Sequence, residues 1–195
     1  LILGAGGAAP AAGVLVIAVN LVGVYAIGPE EFLCALLEWE EEQRYVPVWL
    51  SLADGAALAA AIEGEARRRP SVHDAMTELI TRATTGINTI AVTSYYQGVF
   101  ISELSLADGT TIDMRTSDAL LLAVASDTQI LVEESVLQQA SMHLNPATAK
   151  ELFDLDLEDE LDQAEIEGEF EEFMRELGLD GGDGGNEGDQ PSSSS

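Results

Sequence analysis

The chain has 195 residues, 47% of them hydrophobic, and a formal net charge of −27. That is enough apolar material for one domain with a buried core plus an extension, and the charge excludes a binder that grips nucleic acid through a broad basic face. The acids are unevenly spread: residues 1–143 hold 18 against six arginines, and residues 144–195 hold 17 against two bases.

In chain order, the first 29 residues carry no charge. Their apolar run from Val14 to Ile27 is broken at Asn20 and Gly23 and falls short of the ~20 residues a membrane span needs, and no basic stretch precedes it. Its Val and Ile content predicts a buried strand, and no membrane partner is expected. Cys34 is the sole cysteine, so neither an internal disulfide nor a thiolate metal site can form, which suits a reducing, cytoplasmic setting. Val14–Tyr25 and Phe32–Glu38 flank the turn-rich Gly28-Pro29-Glu30-Glu31 and predict an antiparallel pair. Tyr45–Leu50 predicts a third strand, with Pro47 at its start or on a sheet edge because proline cannot donate to the ladder.

Ser51-Leu52-Ala53-Asp54 fits a capping box ahead of an Ala-rich helix over residues 56–62. Ser71-Val72-His73-Asp74 repeats the pattern, and Val72, Met76, Leu79, Ile80 and Ala83 keep helical spacing until Gly86. Strands are then predicted at Ile87–Thr93, Val99–Leu106 and Thr110–Met114, the last two joined by the hairpin signal Asp108-Gly109. Phe100, Ser102, Leu104 and Leu106 share one face of the middle strand. Ser117 is expected to cap a third helix over residues 118–125, apolar nearly all round and so the most buried. Ile130–Val132 reads as a last strand and Glu134–Ala140 as a short helix.

This order predicts an α+β fold, with a mixed, largely antiparallel sheet and two to three packed helices, in a domain over residues 14–143. Residues 144–195 read as an acidic extension, helical from 146 to about 179 and disordered beyond. Asp154, Asp156, Glu158 and Glu165 have the offsets of a calcium loop, but Asp159 stands where that loop needs glycine, and the reading is rejected. An extension this acidic could mimic nucleic acid and cover a basic patch on the domain.

Signatures of the common enzyme classes are absent: there is no phosphate-binding loop, nucleotide-fold glycine fingerprint, zinc histidine pair or nucleophile elbow. What remains is a repeated arrangement of helix starts at Ser51, Ser71 and Ser117, each with free amides and a partial positive charge suited to an anion. Arg69 precedes the second start and Arg115 the third. Lying side by side, those two starts would form a phosphate clamp inside a negative protein. Asp54, His73, Asp74, Asp113 and Asp118 would then be close enough to hold a divalent cation or activate a water. Each acid also has a purely structural reason to exist, since first turns attract carboxylates, and both arginines could simply pair with them. His73 has no special value at a helix start, so base, ligand and packing stay open. His143 lies beyond the last firm element and is read as incidental.

Arg69-Pro70-Ser71-Val72-His73-Asp74 and Asp113-Met114-Arg115-Thr116-Ser117-Asp118-Ala119, with Val46-Pro47-Val48-Trp49-Leu50 and Gly98-Val99-Phe100, resemble the bifunctional nuclease family. These are small bacterial and plant proteins credited with DNA and RNA cleavage, and the resemblance runs from about Val14 to about Met142. It implies a phosphodiesterase acting on nucleic acid with a divalent cation, Mg or Mn. Arg69-Pro70, His73-Asp74, Asp113 with Arg115, and Ser117-Asp118-Ala119 fall on the family's signature positions. The candidate catalytic set is therefore His73 as general base, Arg69 and Arg115 on the phosphate, and Asp74, Ser117 and Asp118 beside them. Asp54, Asp74, Asp113 and Asp118 are the candidate metal ligands. The chain departs from the family at Thr116, where proline is usual, at Ser51 and Asp54, where glycine and glutamate are usual, and near Ala125, where an arginine is missing. Many bacterial relatives end in a short helical module associated with excision repair, and the acidic extension takes its place. The competing expectation is a non-catalytic homo-oligomeric adaptor, a dimer for preference, whose apolar sheet face joins the copies and whose tail engages a basic partner.

Overall fold

The computed structural model describes residues 15–64, 68–157 and 175. The elements in chain order are β1 (Val16–Ile27), β2 (Phe32–Trp39), β3 (Arg44–Leu50), α1 (Leu52–Ile62), α2 (Val72–Ala83), β4 (Ile87–Tyr96), β5 (Val99–Leu106), β6 (Thr111–Arg115), α3 (Thr116–Ser126), β7 (Ile130–Glu133), α4 (Glu134–Ala140) and α5 (Pro146–Phe153). The seven strands form one sheet in the order β3-β2-β1-β7-β4-β5-β6. Only β4 with β7 is parallel, so the architecture is α+β with a mixed, largely antiparallel sheet. Pro47 sits in β3, at the sheet edge, where its missing N–H costs no ladder bond on the open side.

The long uncharged β1 joins two halves of the sheet. Val16–Val19 pair with β7, and the remainder pairs with β2 through an irregularity between Leu21 and Gly23. β2 is buried on both faces, which explains its unbroken apolar run. Ala35 and Leu37 point into the main core with Val46, Val48, Leu58 and Leu120. Cys34 and Leu36 point the other way, into a second core with Tyr45, Met142, Leu144, Ala149 and Phe153. There α5 closes the face, and Tyr25 meets Phe153 edge-on at 5.1 Å between ring centroids.

Helices α1 and α2 both pack against α3, and α3 lies over β4, β5 and β6. Its residues Ala119–Ala123 are all buried, as an all-round apolar helix requires. Ser102, buried on the helix-facing side of β5, shares a 2.8 Å hydrogen bond with Thr116 at the start of α3. Gly55 lets α1 approach β2: a Cβ there would stand 2.5 Å from Leu33 Cδ1 and 2.9 Å from Leu33 Cβ.

Some boundaries differ from expectation. β4 continues to Tyr96, and α4 and α5 add to the three helices packed together as α1, α2 and α3. Ser117 does not cap α3: β6 runs straight into the helix, Arg115 takes the cap position with extended backbone (φ −66°, ψ 145°), and Ser117 falls within the first turn. Asn145 caps α5 through the Thr148 amide, and the helix ends at Asp154 with a left-handed φ of 52° rather than continuing, so residues 154–157 are not helical. The expected helix and disorder over residues 158–174 and 176–195 lie outside the described residues. No helix among the described residues is long and apolar enough to cross a membrane.

Candidate functional site

Three helices begin with the same device, an acid at the third helical position, and each uses it differently. In α2, Ser71 and Asp74 form a full capping box: the Asp74 amide donates to Ser71 Oγ at 3.2 Å, and the Ser71 amide donates to Asp74 Oδ2 at 2.7 Å. In α1 the Asp54 amide donates to Ser51 Oγ at 3.1 Å, and that hydroxyl donates to Asp54 Oδ2 at 2.8 Å. The Asp54 carboxylate thus keeps lone pairs for another partner. In α3 the acid turns to its own cap residue: Arg115 donates from Nε to Asp118 Oδ2 at 2.8 Å and from Nη2 to Asp118 Oδ1 at 3.0 Å.

The three starts meet at Arg115. Its other edge reaches α1, with Nη1 donating to Asp54 Oδ2 at 3.2 Å and Nη2 to Asp54 Oδ1 at 3.5 Å. On the far side of Asp118, Oδ1 lies 3.3 Å from Nε2 of His73, two positions into α2. A hydrogen-bonded run therefore links Ser51, Asp54, Arg115, Asp118 and His73 across three separate stretches of sequence. Its members differ in access: the His73 side chain is only 14% exposed, whereas that of Arg115 is 64% exposed.

Charge in the run is unequal, one guanidinium against two carboxylates. Hydrogen bonds from Arg115, reinforced more weakly by His73, hold the Asp118 carboxyl below the ordinary carboxylate range against a partial burial that opposes it. The same contacts push the Arg115 guanidinium further from deprotonation. Because an ionised Asp118 only accepts, Nε2 of His73 is the donor in that bond.

Of the expected residues, Asp54, His73, Arg115 and Asp118 are brought together. Ser117 sits beside Asp118 in the first turn of α3 and is partly exposed. Arg69 is exposed just ahead of the α2 start. Asp74 belongs to the α2 capping box. Asp113 is directly opposite Glu103 in the ladder and one residue out of phase with Met114, whose side chain packs on the main core. It therefore faces away from the helices. No group of three or more His, Cys, Asp or Glu able to hold a metal ion is found among the described residues.

One cluster was not foreseen. Arg44 donates from Nε to Ser141 Oγ at 2.8 Å and from Nη2 to the Ser141 carbonyl at 2.6 Å, and its Nη1 lies 3.0 Å from His143 Nδ1. With the bridge between Tyr45 and Met142, it fastens the segment after α4 to β3. His143 is thus a structural residue of the second core's rim. A signal was available in the polar pair Ser141 and His143 around the apolar Met142, the alternation of a strand-like segment.

The α1 and α3 starts are thus joined through Asp54 and Arg115, and the α3 and α2 starts through Asp118 and His73, within one α+β domain. The model of the bifunctional nuclease domain matches residues 35–145, more than half of the chain, and the protein belongs to that family. The match ends just beyond the Arg44–His143 fastening and includes all three helix starts. Two relatives carry the names Uncharacterized protein MT1877 and Uncharacterized protein Rv1829, from Mycobacterium tuberculosis strains CDC 1551 / Oshkosh and ATCC 25618 / H37Rv. Each is 26% identical over 162 residues, covering 83% of this chain and 95% of the relative.

Proposed function

We propose that the domain is a nuclease that binds the phosphodiester backbone of DNA and RNA at the junction of the α1, α2 and α3 starts and hydrolyses it. The observation that carries this reading is the run from Asp54 through Arg115 and Asp118 to His73. Arg115 presents a planar, permanently charged donor set at the surface, the type that recognises phosphate bidentately, and Arg69, exposed just ahead of the α2 start, is assigned as a second cation for the strand. His73 acts as general base through Nδ1, with Asp118 fixing the ring from the other nitrogen, the logic of a base oriented by a carboxylate. Ser117 and the free amides of the α3 start face the developing charge. Asp74 holds the α2 start in shape.

Asp54 and Asp118 are the carboxylates that would hold a divalent cation, Mg or Mn, since Mg²⁺ is usually held by one or two carboxylates together with phosphate oxygens. When bound it would neutralise charge on the phosphate. Asp74 and Asp113 are turned to other places and are not part of that pair. A cytoplasmic setting accords with the single buried thiol.

The test is incubation of the purified protein with single-stranded DNA and RNA, with and without Mg²⁺ or Mn²⁺, beside His73→Ala. Cleavage by the wild type that the substitution abolishes supports the assignment. Cleavage that survives it removes His73 from the mechanism.

A second reading has its own observation. On the sheet face away from α3, Tyr96, Val99 and Ile101 are 67%, 61% and 41% exposed and adjacent in the β4–β5 ladder. Such a face suits a homodimer, and a dimeric adaptor whose acidic extension meets a basic partner would need no chemistry at Arg115. Sedimentation velocity on the wild type and Ile101→Glu separates the two: a dimer that the substitution splits, in a protein without nuclease activity, favours the adaptor.

A further inference from the structure

The guanidinium of Arg115 has two edges on which a bidentate acceptor can sit, and both are taken by carboxylates of its own chain. Asp118 holds the Nε–Nη2 edge at 2.8 and 3.0 Å. Asp54 holds the Nη1–Nη2 edge at 3.2 and 3.5 Å, the looser of the two. The tighter pair joins residues three apart in one helix start, so its geometry is local and persistent. The looser pair spans 61 positions and two helices.

Release costs the two acids differently. Asp118 sits between Arg115 and His73, and losing the arginine would leave it with the 3.3 Å contact to His73 as its remaining partner in the run, although at 33% exposed it is less buried than Asp54 at 20%. Asp54 keeps the Ser51 hydroxyl at 2.8 Å and the favourable end of the α1 dipole if it lets go. The edge it covers belongs to a side chain that remains 64% exposed, so an incoming anion can reach it.

From this geometry we infer that Asp54 is an internal competitor for phosphate, occupying the edge of Arg115 that a phosphate group of nucleic acid takes, and that substrate binds by displacing it. This rests on the phosphate-binding reading above and assigns Asp54 a role within it. Displacement makes Arg115 available only to a ligand whose oxygens pair with the Nη1–Nη2 edge better than a carboxylate does. It sets affinity and discrimination at the same place. Small carboxylates, matched in charge and shape by Asp54 itself, gain nothing there, whereas a polyanionic strand gains further contacts along its length.

The experiment is binding of fluorescently labelled single-stranded oligodeoxythymidine in EDTA, so that no cleavage intervenes, to the wild type, Asp54→Asn, Arg115→Gln and the double variant. Glu103→Gln, which removes one negative charge from β5 on the sheet face away from α3, serves as the control for net charge. The expected result is that Asp54→Asn binds about two- to fivefold tighter than both wild type and Glu103→Gln, the range that an exposed ion pair is worth. The gain disappears in the double variant. Asp54→Ala repeats the comparison, and thermal melting confirms that each protein is folded. If Asp54→Asn binds no tighter than Glu103→Gln while Arg115→Gln still weakens binding, Asp54 is no competitor and the phosphate site stands. If Arg115→Gln binds as well as wild type, the competitor and the phosphate site both fall.

Discussion

Arg115 and Asp54 are 61 positions apart in the sequence, yet Arg115 Nη1 donates to Asp54 Oδ2 at 3.2 Å and ties the start of α3 to the start of α1. Asp118 then extends the tie to His73 of α2. Three loops are thereby registered to one another by a single exposed guanidinium, and the consequences of altering it are specific.

Replacing Arg115 by lysine keeps the charge but loses the fork. An ammonium cannot hold Asp118 and Asp54 along two edges at once, so the change is expected to behave like Arg115→Gln. Removing one preorganised donor to a developing anion typically costs about a hundred- to a thousandfold in rate. Cleavage rates for Arg115→Lys should therefore fall far below wild type while the thermal midpoint moves little, since the Arg115 side chain is 64% exposed and lysine keeps a positive charge beside the more buried Asp54.

The Asp118 carboxyl is held below the usual range chiefly by Arg115, so its folded form loses a proton more readily than its unfolded form. Its contribution to stability is present above the unfolded value of about 3.9 and is lost as pH falls through the lower folded value. Denaturant melts between neutral pH and about pH 3 should show a smaller acid loss for Asp118→Asn than for wild type. Equal losses in the two proteins would mean that the contact has no energetic weight.

Gly55 explains why α1 can place Asp54 at Arg115. With Leu33 Cβ 2.9 Å from where a methyl would stand, Gly55→Ala must push the helix off β2. Overpacking of this kind costs about 1–3 kcal/mol, despite alanine's better helix propensity. Urea titration measures that loss. The same variant is expected to lengthen the Asp54–Arg115 contact and so to bind oligonucleotide differently from wild type.

Cys34 lies in the second core, 0% exposed, and burial pushes its thiol up to about 12. It is expected to be inert to a thiol-specific disulfide reagent at pH 8 in the native state and to react fully on unfolding. Prompt native-state reaction would mean that the face covered by α5 opens readily.

Much of this fold was legible in the sequence because its signals are local. Alternation and turn residues marked the strands, and the Ser71–Asp74 and Ser51–Asp54 pairs marked two helix starts from capping chemistry alone. The third start was misplaced because Ser117 is a good cap in isolation, whereas the strand-to-helix junction at Arg115 is set by β6 pairing with β5. The candidate site divided along the same line. Residues whose neighbours are close in sequence, such as Asp74, carried their structural explanation with them. The Asp54–Arg115 tie depends on where the sheet carries β3 and β6, and the outward turn of Asp113 depends on strand phase, neither of which short-range spacing encodes. The pairing of Arg44 with Ser141 and His143 went unnoticed for the same reason, the arginine lying 97 and 99 positions from those partners.

The most direct measurement is the nitrogen-15 spectrum of the Arg115 side chain and the first-turn amides of α1, α2 and α3, followed as single-stranded oligonucleotide is added in EDTA. The expected result is a saturable shift of the Arg115 Nε–H signal together with the amides near Asp54, His73 and Asp118, while signals from β2 and α5 stay fixed. Binding that moves other regions and leaves the Arg115 signal in place would contradict a phosphate site at the meeting of the three helix starts.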